Sequence, residues 1–217
     1  MIAAVDEFIL FDDVQYTRRD WRNRNYIKTP NGVSLLTVPV QVKGKYYQLI
    51  RDAEINGSGW AELHWKSICQ NYQQAKHFES IASLLKPIYL ENKFKYLSSL
   101  NRALIELVCE YLDIKTKLSN SWDYSVTGGK SERLVEICSK AGAAEYISGP
   151  AAKNYLDESI FSDRGIKLTW FNYDDYPEYP QLWGEFRHEV SVLDLLFNCG
   201  KDAPNYMKYV DKQDNQI

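Results

Sequence analysis

Residues 145–173 read as strand, helix, strand: EYISG, then AAKNYLDESIFSDRG, then IKLTWFNY. No other feature constrains the fold as much. Two strands joined by a helical crossover of this length imply parallel pairing and a right-handed connection. Just upstream, TKLSNSW reads as a further strand, TGGK as a loop, and SERLVEICSKAG as an amphipathic helix ending at Gly142. The alternation predicts an α/β protein with a parallel-strand βαβ core.

A β-hairpin and a helical insertion are added to that core. AAVDEFILFDD reads as the end of a helix running into a strand at residues 7–11, with no preceding element to pair with it. NYIKTPNGVSLLTVPVQV reads as two strands around a P-N-G turn, where Asn31-Gly32 can supply the positive φ of a tight hairpin. Residues 60–112 are helical by spacing, as in Leu97, Leu100, Leu104, Leu107 and Val108, and Pro87 opens or kinks one of these helices. SVLDLLFNCG reads as a last helix, with Ser191 as N-cap, Asp194 in its first turn and Gly200 as its stop. DKQDNQI is a frayed tail. With 217 residues, 45% of them hydrophobic, the chain has enough material for one substantial core. Residues 1–217 are therefore read as one domain.

A formal net charge of −3 and a pI near 5.7 argue against DNA as a partner. Cys69, Cys109, Cys138 and Cys199 form no C-x-x-C pair and sit in apolar, helix-like contexts, as reduced buried thiols do. There is no run of eighteen apolar residues and no leader-like N-terminus, which points to the cytoplasm. The spacing of His, Cys, Asp and Glu suggests no metal site, and without a complete P-loop no tightly bound cofactor is expected.

Against that acidic background, LFDDVQYTRRDWRNRN stands out. Arg18, Arg19, Arg22 and Arg24 lie within seven residues, interleaved with Trp21 and Asn23. Guanidinium forks match phosphate and carboxylate, and aromatic neighbours stack on a base or sugar. In an extended chain Arg22 and Arg24 share a face; in a helix Arg18 and Arg22 do. A basic loop paired within the protein is the bland alternative, and an RNA-binding arm is a third reading.

Asp12 and Asp13 close the first strand, where α/β proteins place their ligands. As consecutive strand residues they point to opposite faces, so one of them can serve a cleft as general base, metal ligand or ribose-binding acid. Alternatively, they pair with the nearby arginines. Gly129-Lys130-Ser131 resembles the end of a Walker A loop, but Tyr124 stands where that motif needs its first glycine. What survives is a glycine turn opening a helix, which offers backbone N–H groups and Lys130 to an anion, or simply a turn with Ser131 and Glu132 serving the helix start. ISGPAAKNYL has the same form; Gly149 would permit close backbone approach, and Lys153 and Tyr155 could reach a ligand. Of the three histidines, His64, in WAELHW, is the best proton-transfer candidate, while His77 and His188 read as surface or packing residues.

Taken in order, FDDVQYTRRDWRNRNYIKTPNG, LTVPV, GKSERLVEIC, AEYISGPAAKNYL, EYPQ and SVLDLLFNCG resemble the WbqC-like family across essentially the whole chain. Members are typically bacterial and encoded among O-antigen and other surface-polysaccharide genes. The resemblance implies a transferase that places an amino-acyl or acyl group, glycine in particular, on an amino sugar. It implies as ligand-facing positions Asp12 or Asp13, Gln15, Arg22, Asn23, Arg24, Lys130, Ser131, Glu132, Ser148, Gly149, Lys153 and Gln181. Family members usually carry, upstream, another strand and a Q-P-Y-x-x-P-Y-x-G-like segment that this sequence lacks.

Those readings combine into one expectation. The arginines hold the phosphate of a nucleotide-linked sugar or glycan precursor, Trp21 stacks on base or sugar, and Asp12, Asp13 or His64 deprotonates the attacking amine. An aminoacyl donor would be the second substrate. A non-catalytic protein that binds nucleotide or glycan precursors is the competing class.

Overall fold

The computed structural model describes residues 1–91 and 93–211, and of Lys130 the backbone alone. The chain divides into two compact units, each drawn from two stretches of sequence. One takes Met1–Asp13 and Thr116–Tyr176; the other takes Val14–Lys115 and the chain from Pro177 onward.

In the first unit, strand β1 (Glu7–Leu10) pairs in parallel with β4 (Lys117–Asn120), Glu7 lying opposite Lys117 and Leu10 opposite Asn120. Among the described residues no preceding element pairs with the first strand, as its sequence context predicts. Its partner arrives from far along the chain, and local sequence does not announce it. The Thr116 hydroxyl, 2.9 Å from the Ile2 carbonyl and 3.0 Å from that of Val5, ties the short N-terminal 3-10 turn to the start of β4. Helix α4 (Lys130–Lys140) follows, and Gly142 (φ 70°) terminates it. Strands β5 (Glu145–Ser148) and β6 (Lys167–Trp170) then pair in parallel, as the strand–helix–strand pattern predicts.

The crossover between β5 and β6 is not the single helix expected. It breaks into a 3-10 turn at Pro150–Asn154 and one α-turn, α5 (Ser159–Ser162). Asp157 is the physical reason. Its carboxylate accepts from both the Ser159 backbone N–H (3.0 Å) and the Ser159 hydroxyl (2.7 Å), starting a new turn instead of continuing the old one. The last strand likewise stops at Trp170, short of Asn172 and Tyr173. Val135, Cys138, Ala152, Leu156, Phe161 and Ile166 form this unit's core, with Tyr146 stacked on Phe161 at 5.2 Å.

The second unit contains the hairpin of β2 (Arg24–Thr29) and β3 (Gly32–Thr37), paired antiparallel from Arg24–Thr37 to Thr29–Gly32. Of the expected Asn31-Gly32 pair, Gly32 alone takes positive φ (107°). Three helices follow, α1 (Gly59–Tyr72), α2 (Phe78–Lys86) and α3 (Leu97–Tyr111). Pro87 ends α2 and begins a π-helical turn through Glu91, since a proline nitrogen cannot donate to the preceding turn. Leu97 and Leu100 are fully buried, while Leu104, Leu107 and Val108 pack on the core, so the three-and-four spacing marks the buried face.

The final helix, α6 (Val192–Cys199), starts at Ser191, whose hydroxyl accepts from the Leu193 N–H, and stops at Gly200. Leu196 and Phe197 are fully buried, and the Phe197 ring stacks on Tyr72 (4.7 Å) and Phe78 (5.8 Å). All four cysteines are free thiols, three of them buried. Of the expected C-terminal tail, all but Asp211 lies outside the described residues. Among the described residues no helix is long and apolar enough to cross a membrane.

Candidate functional site

The arginine segment belongs to the second unit and is neither strand nor helix where the arginines begin. Arg19 holds a left-handed backbone (φ 61°), turning the chain ahead of a 3-10 turn at Trp21–Asn23. Asp20 caps that turn by accepting from the Trp21 N–H, and its other oxygen pairs with Arg22. Arg22 also donates to the Thr17 hydroxyl at 3.0 Å, and its carbonyl accepts from Asn101 at 2.9 Å. Asn23 is buried and donates to the Val38 carbonyl (2.8 Å). Arg24 opens β2 with its Nε buried and unpartnered.

The pairing within the loop is therefore selective. Arg22 is committed to Asp20 and Thr17, whereas exposed Arg18 and Arg19 have no hydrogen-bond or ion-pair partner among the described residues. Beside them Trp21 is 65% exposed, its ring edge-on to Tyr26 at 5.8 Å. An aromatic this exposed next to unpaired guanidinium groups can stack on a ligand while they hold its charge.

The same segment forms one wall of a cavity of about 160 Å³ lined by Gln15, Tyr16, Thr17, Arg18, Val42, Lys45, Tyr46 and Gln48. Backbone bonds knit the two walls together: Tyr16 N–H donates to Gln48 (2.9 Å) and Ile50 N–H to Val14 (2.9 Å). The Gln15 amide donates to the Tyr46 carbonyl at 2.9 Å. Burial pushes the Tyr16 phenol up, opposed by the charges of Arg24, Arg22 and Arg18.

A second polar centre of this unit lies in its core. Lys28 is 2% exposed and Asp194 is fully buried. The Tyr72 hydroxyl donates to Asp194 (2.6 Å) and accepts from the Lys28 backbone N–H (2.9 Å). Tyr179 donates to the other Asp194 oxygen at 2.9 Å. Gln181 accepts from Lys28 Nζ (2.7 Å) and the Arg187 N–H (2.9 Å), and donates to the Tyr179 hydroxyl and the Arg187 carbonyl (both 2.9 Å). Both lone pairs and both N–H groups of the Gln181 amide are thus engaged within the protein. Burial pulls the Lys28 ammonium down, with Asp194 opposing it, and pushes the Asp194 carboxyl up against the hydrogen bonds from Tyr72 and Tyr179.

His64 is also buried in this unit, with Nε2 3.1 Å from the Thr37 carbonyl and Trp60 edge-on at 5.1 Å. Burial holds its imidazole below the usual range, against the opposing effect of that carbonyl.

The strand-end candidates belong to the first unit. Asp13 forms an ion pair with Arg133 of α4 and accepts from the buried Ser121 hydroxyl, so its arginine partner comes from the helix and not from residues 18–24. Asp12 is half-buried two residues beyond the end of β1, which stops at Leu10, so neither aspartate closes the strand as expected. At the start of α4, Glu132 accepts from the Gly129 N–H (2.8 Å), occupying one of the backbone donors an anion would use. Ser131 is half-buried there, and the Lys130 side chain lies outside the described residues. Ser148 is buried at the end of β5. Gly149 has φ −68°, and a Cβ there would meet Met1 at an ordinary 3.8 Å, so nothing in this conformation requires a glycine. Lys153 is exposed with its ammonium 5.6 Å from the centre of the Trp170 ring. No group of three or more His, Cys, Asp or Glu among the described residues is placed to hold a metal ion.

Within the second unit Gln15 lines the cavity, Trp21 is exposed, Arg22 is paired with Asp20, Asn23 is buried, and Gln181 belongs to the buried Lys28–Asp194 centre. Within the first the structure groups Asp13 with Ser121 and Arg133. The missed residues are Lys28, Tyr72, Asp194 and Arg133. One signal was available: a helix apolar on every side is a buried helix, so the acid inside VLDLLF must find partners in a core.

The chain is 54% identical over 209 residues, covering 96% of this chain and 90% of its relative, to the uncharacterized protein Rv1507c of Mycobacterium tuberculosis (strain ATCC 25618 / H37Rv). No solved structure matches it significantly. The model of the WbqC-like protein family matches residues 1–206, and with nearly the whole chain spanned by that match the protein belongs to the WbqC-like family.

Proposed function

We propose that this protein is a cytoplasmic transferase that modifies a nucleotide-linked sugar or surface-glycan precursor, placing an amino-acyl or acyl group, glycine foremost, on the amine of an amino sugar. The observation that carries this reading is the pair of unpartnered guanidinium groups, Arg18 and Arg19, beside exposed Trp21 in a chain of net charge −3. An acidic protein that leaves two adjacent arginines unpaired next to an aromatic ring has a docking point for a compact anion with a stacking face. A sugar ammonium has no lone pair with which to attack an acyl carbon, so the reaction also requires a base. Asp12, Asp13 and His64 are the candidate bases, and each is replaced in turn.

The test is turnover of UDP- and dTDP-amino sugars with glycyl-tRNA or an acyl thioester as donor, read by mass spectrometry of the sugar product. Arg18→Ala combined with Arg19→Ala is expected to raise KM by roughly tenfold or more, as loss of a charge-assisted hydrogen bond worth about 1.5–3 kcal/mol requires, with kcat little changed. The base is the residue whose replacement, Asp12→Asn, Asp13→Asn or His64→Gln, lowers kcat with KM little changed. Unchanged kinetics in a folded double variant removes the clamp, and no product across the panel removes the reaction. The exposed rings of Trp21, Tyr46 and Tyr47 favour single-stranded RNA as a second reading. Its mark would be affinity for generic RNA that falls steeply with salt.

A further inference from the structure

The geometry points to the cavity between Gln15–Arg18 and the Val42–Gln48 loop as a subsite for a phosphate ester bearing a hydroxyl on the neighbouring carbon, gripped by Arg18 and Lys45 on the phosphate and by Gln48 on the hydroxyl. This deepens the transferase reading and rests on it for the identity of the larger ligand.

Three observations converge on that chemistry. The lining includes two cations, Arg18 and Lys45, and no carboxylate. Arg18 has no hydrogen-bond or ion-pair partner among the described residues, and Lys45 forms a 3.5 Å ion pair with Glu54, so the Arg18 charge is available to a ligand and Lys45 reaches it by sharing its ammonium with Glu54. Arg22 and Arg24 add to the positive field at the Tyr16 wall. An anion is the complement of such a wall.

The third observation separates a bare anion from a hydroxylated one. The Gln48 side-chain N–H donates to the Gln41 carbonyl at 2.8 Å, which fixes the orientation of the amide. Its Oε1 is then left buried with no hydrogen-bond partner. A buried acceptor without a donor costs free energy that a ligand can recover by supplying one. Above its second ionisation a phosphate ester has only acceptor oxygens and cannot; a hydroxyl on the adjacent carbon can. A sugar 1-phosphate has this arrangement through its 2-hydroxyl, whereas in a nucleoside 5′-phosphate the carbon beside the phosphate-bearing one carries the ring oxygen and no hydroxyl, so the cavity fits the sugar half of a nucleotide sugar.

Calorimetric titration of the full chain decides it, using inorganic phosphate, glucose 1-phosphate, 2-deoxyglucose 1-phosphate, UMP and UDP-glucose. Glucose 1-phosphate is expected to bind about five- to tenfold tighter than its 2-deoxy analogue, the worth of one hydrogen bond to an otherwise unsatisfied acceptor. Gln48→Met removes the acceptor at similar volume and should abolish that difference without weakening the 2-deoxy analogue. Arg18→Gln, at an exposed position tolerant of change, should weaken every phosphate at least fivefold. Glucose 1-phosphate is expected to bind tighter than UMP, which has no hydroxyl on the carbon beside its phosphate-bearing one; tighter binding of UMP through Arg18 and Gln48 overturns the assignment.

Equal binding of the parent sugar phosphate and its deoxy analogue overturns the inference. So does a difference that survives Gln48→Met. If UDP-glucose binds wild type, Arg18→Gln and Gln48→Met alike, the cavity is wrong while the transferase reading stands. If sugar phosphates bind through Arg18 and Gln48 but no nucleotide sugar binds, the subsite stands and the nucleotide-linked substrate is wrong.

Discussion

Asp194 is surrounded by hydrogen-bond donors yet remains costly to ionise, and its chemistry sets a pH dependence that can be separated from the rest of the protein. Burial raises its pKa above the ordinary 3.8, and the hydroxyls of Tyr72 and Tyr179 only partly offset this. The native state therefore binds that proton more tightly than the unfolded chain does. Where the unfolded carboxyl has ionised and the native one has not, stability falls as pH rises, and the full cost is reached above the native pKa. Asp194→Asn cannot ionise, and every other group is common to both proteins. Urea midpoints from pH 4 upward should show wild type losing its advantage over Asp194→Asn as pH increases. At neutral pH the variant is still expected to be less stable, by about 1–3 kcal/mol, because one tyrosine hydroxyl faces an amide N–H2 in place of an acceptor. An advantage of wild type that grows with pH would mean the tyrosine and lysine contacts outweigh burial.

At the scale of elements, helix ends distinguish what sequence can and cannot announce. Gly142 and Gly200 both follow helices and both take positive φ, 70° and 54°. A Cβ on Gly142 would meet nothing within 4 Å, whereas one on Gly200 would lie 2.4 Å from the His77 ring. Gly142→Ala should cost about 1–2 kcal/mol, the strain of left-handed backbone alone. Gly200→Ala must also displace His77, whose backbone N–H donates to the Phe197 carbonyl at 3.0 Å, so its cost should be clearly larger. Equal shifts in urea midpoint for the two variants would show that His77 yields freely.

Both glycines are legible as stops because a helix end is a local event. The Ser191 cap, the turn at Gly32, the face of α3 and the parallel β5–β6 pair were legible for the same reason. What was not legible depends on distance along the chain: β1 against β4, Asp13 against Arg133, Lys28 against Gln181. The broken crossover is a different failure. Its residues have helical spacing, but the Asp157 carboxylate captures Ser159 and local hydrogen bonding overrides periodicity. The candidate site divides in the same way, since the arginine-rich stretch is visible at once but only the fold shows that Asp20 and Thr17 occupy Arg22 and leave Arg18 and Arg19 unpaired.

For the whole molecule, connectivity makes the second unit depend on the far end of its own sequence. Its core combines Ile27, Ile68, Tyr72, Ile81 and Leu85 with Leu195, Leu196, Phe197 and Ala203, contributed after the chain has built the first unit. Ending the protein after Tyr176 leaves every residue of the first unit in place and removes α6. Leu195, Leu196 and Phe197 each represent about 1.5–3 kcal/mol of apolar burial, a large part of the ~5–15 kcal/mol that holds a domain folded. The same cut strips Lys28 of Gln181 and the Glu185 carbonyl, leaving an ammonium without partners in what remains of the core. Hydrogen exchange followed by mass spectrometry should then find the amides of α1, α2 and α3 exchanging at unfolded rates, while α4, β5 and β6 keep their protection. Persistent protection in α1 would mean that the hairpin and three helices close a core without α6, and that the long return of the chain is not what completes the fold.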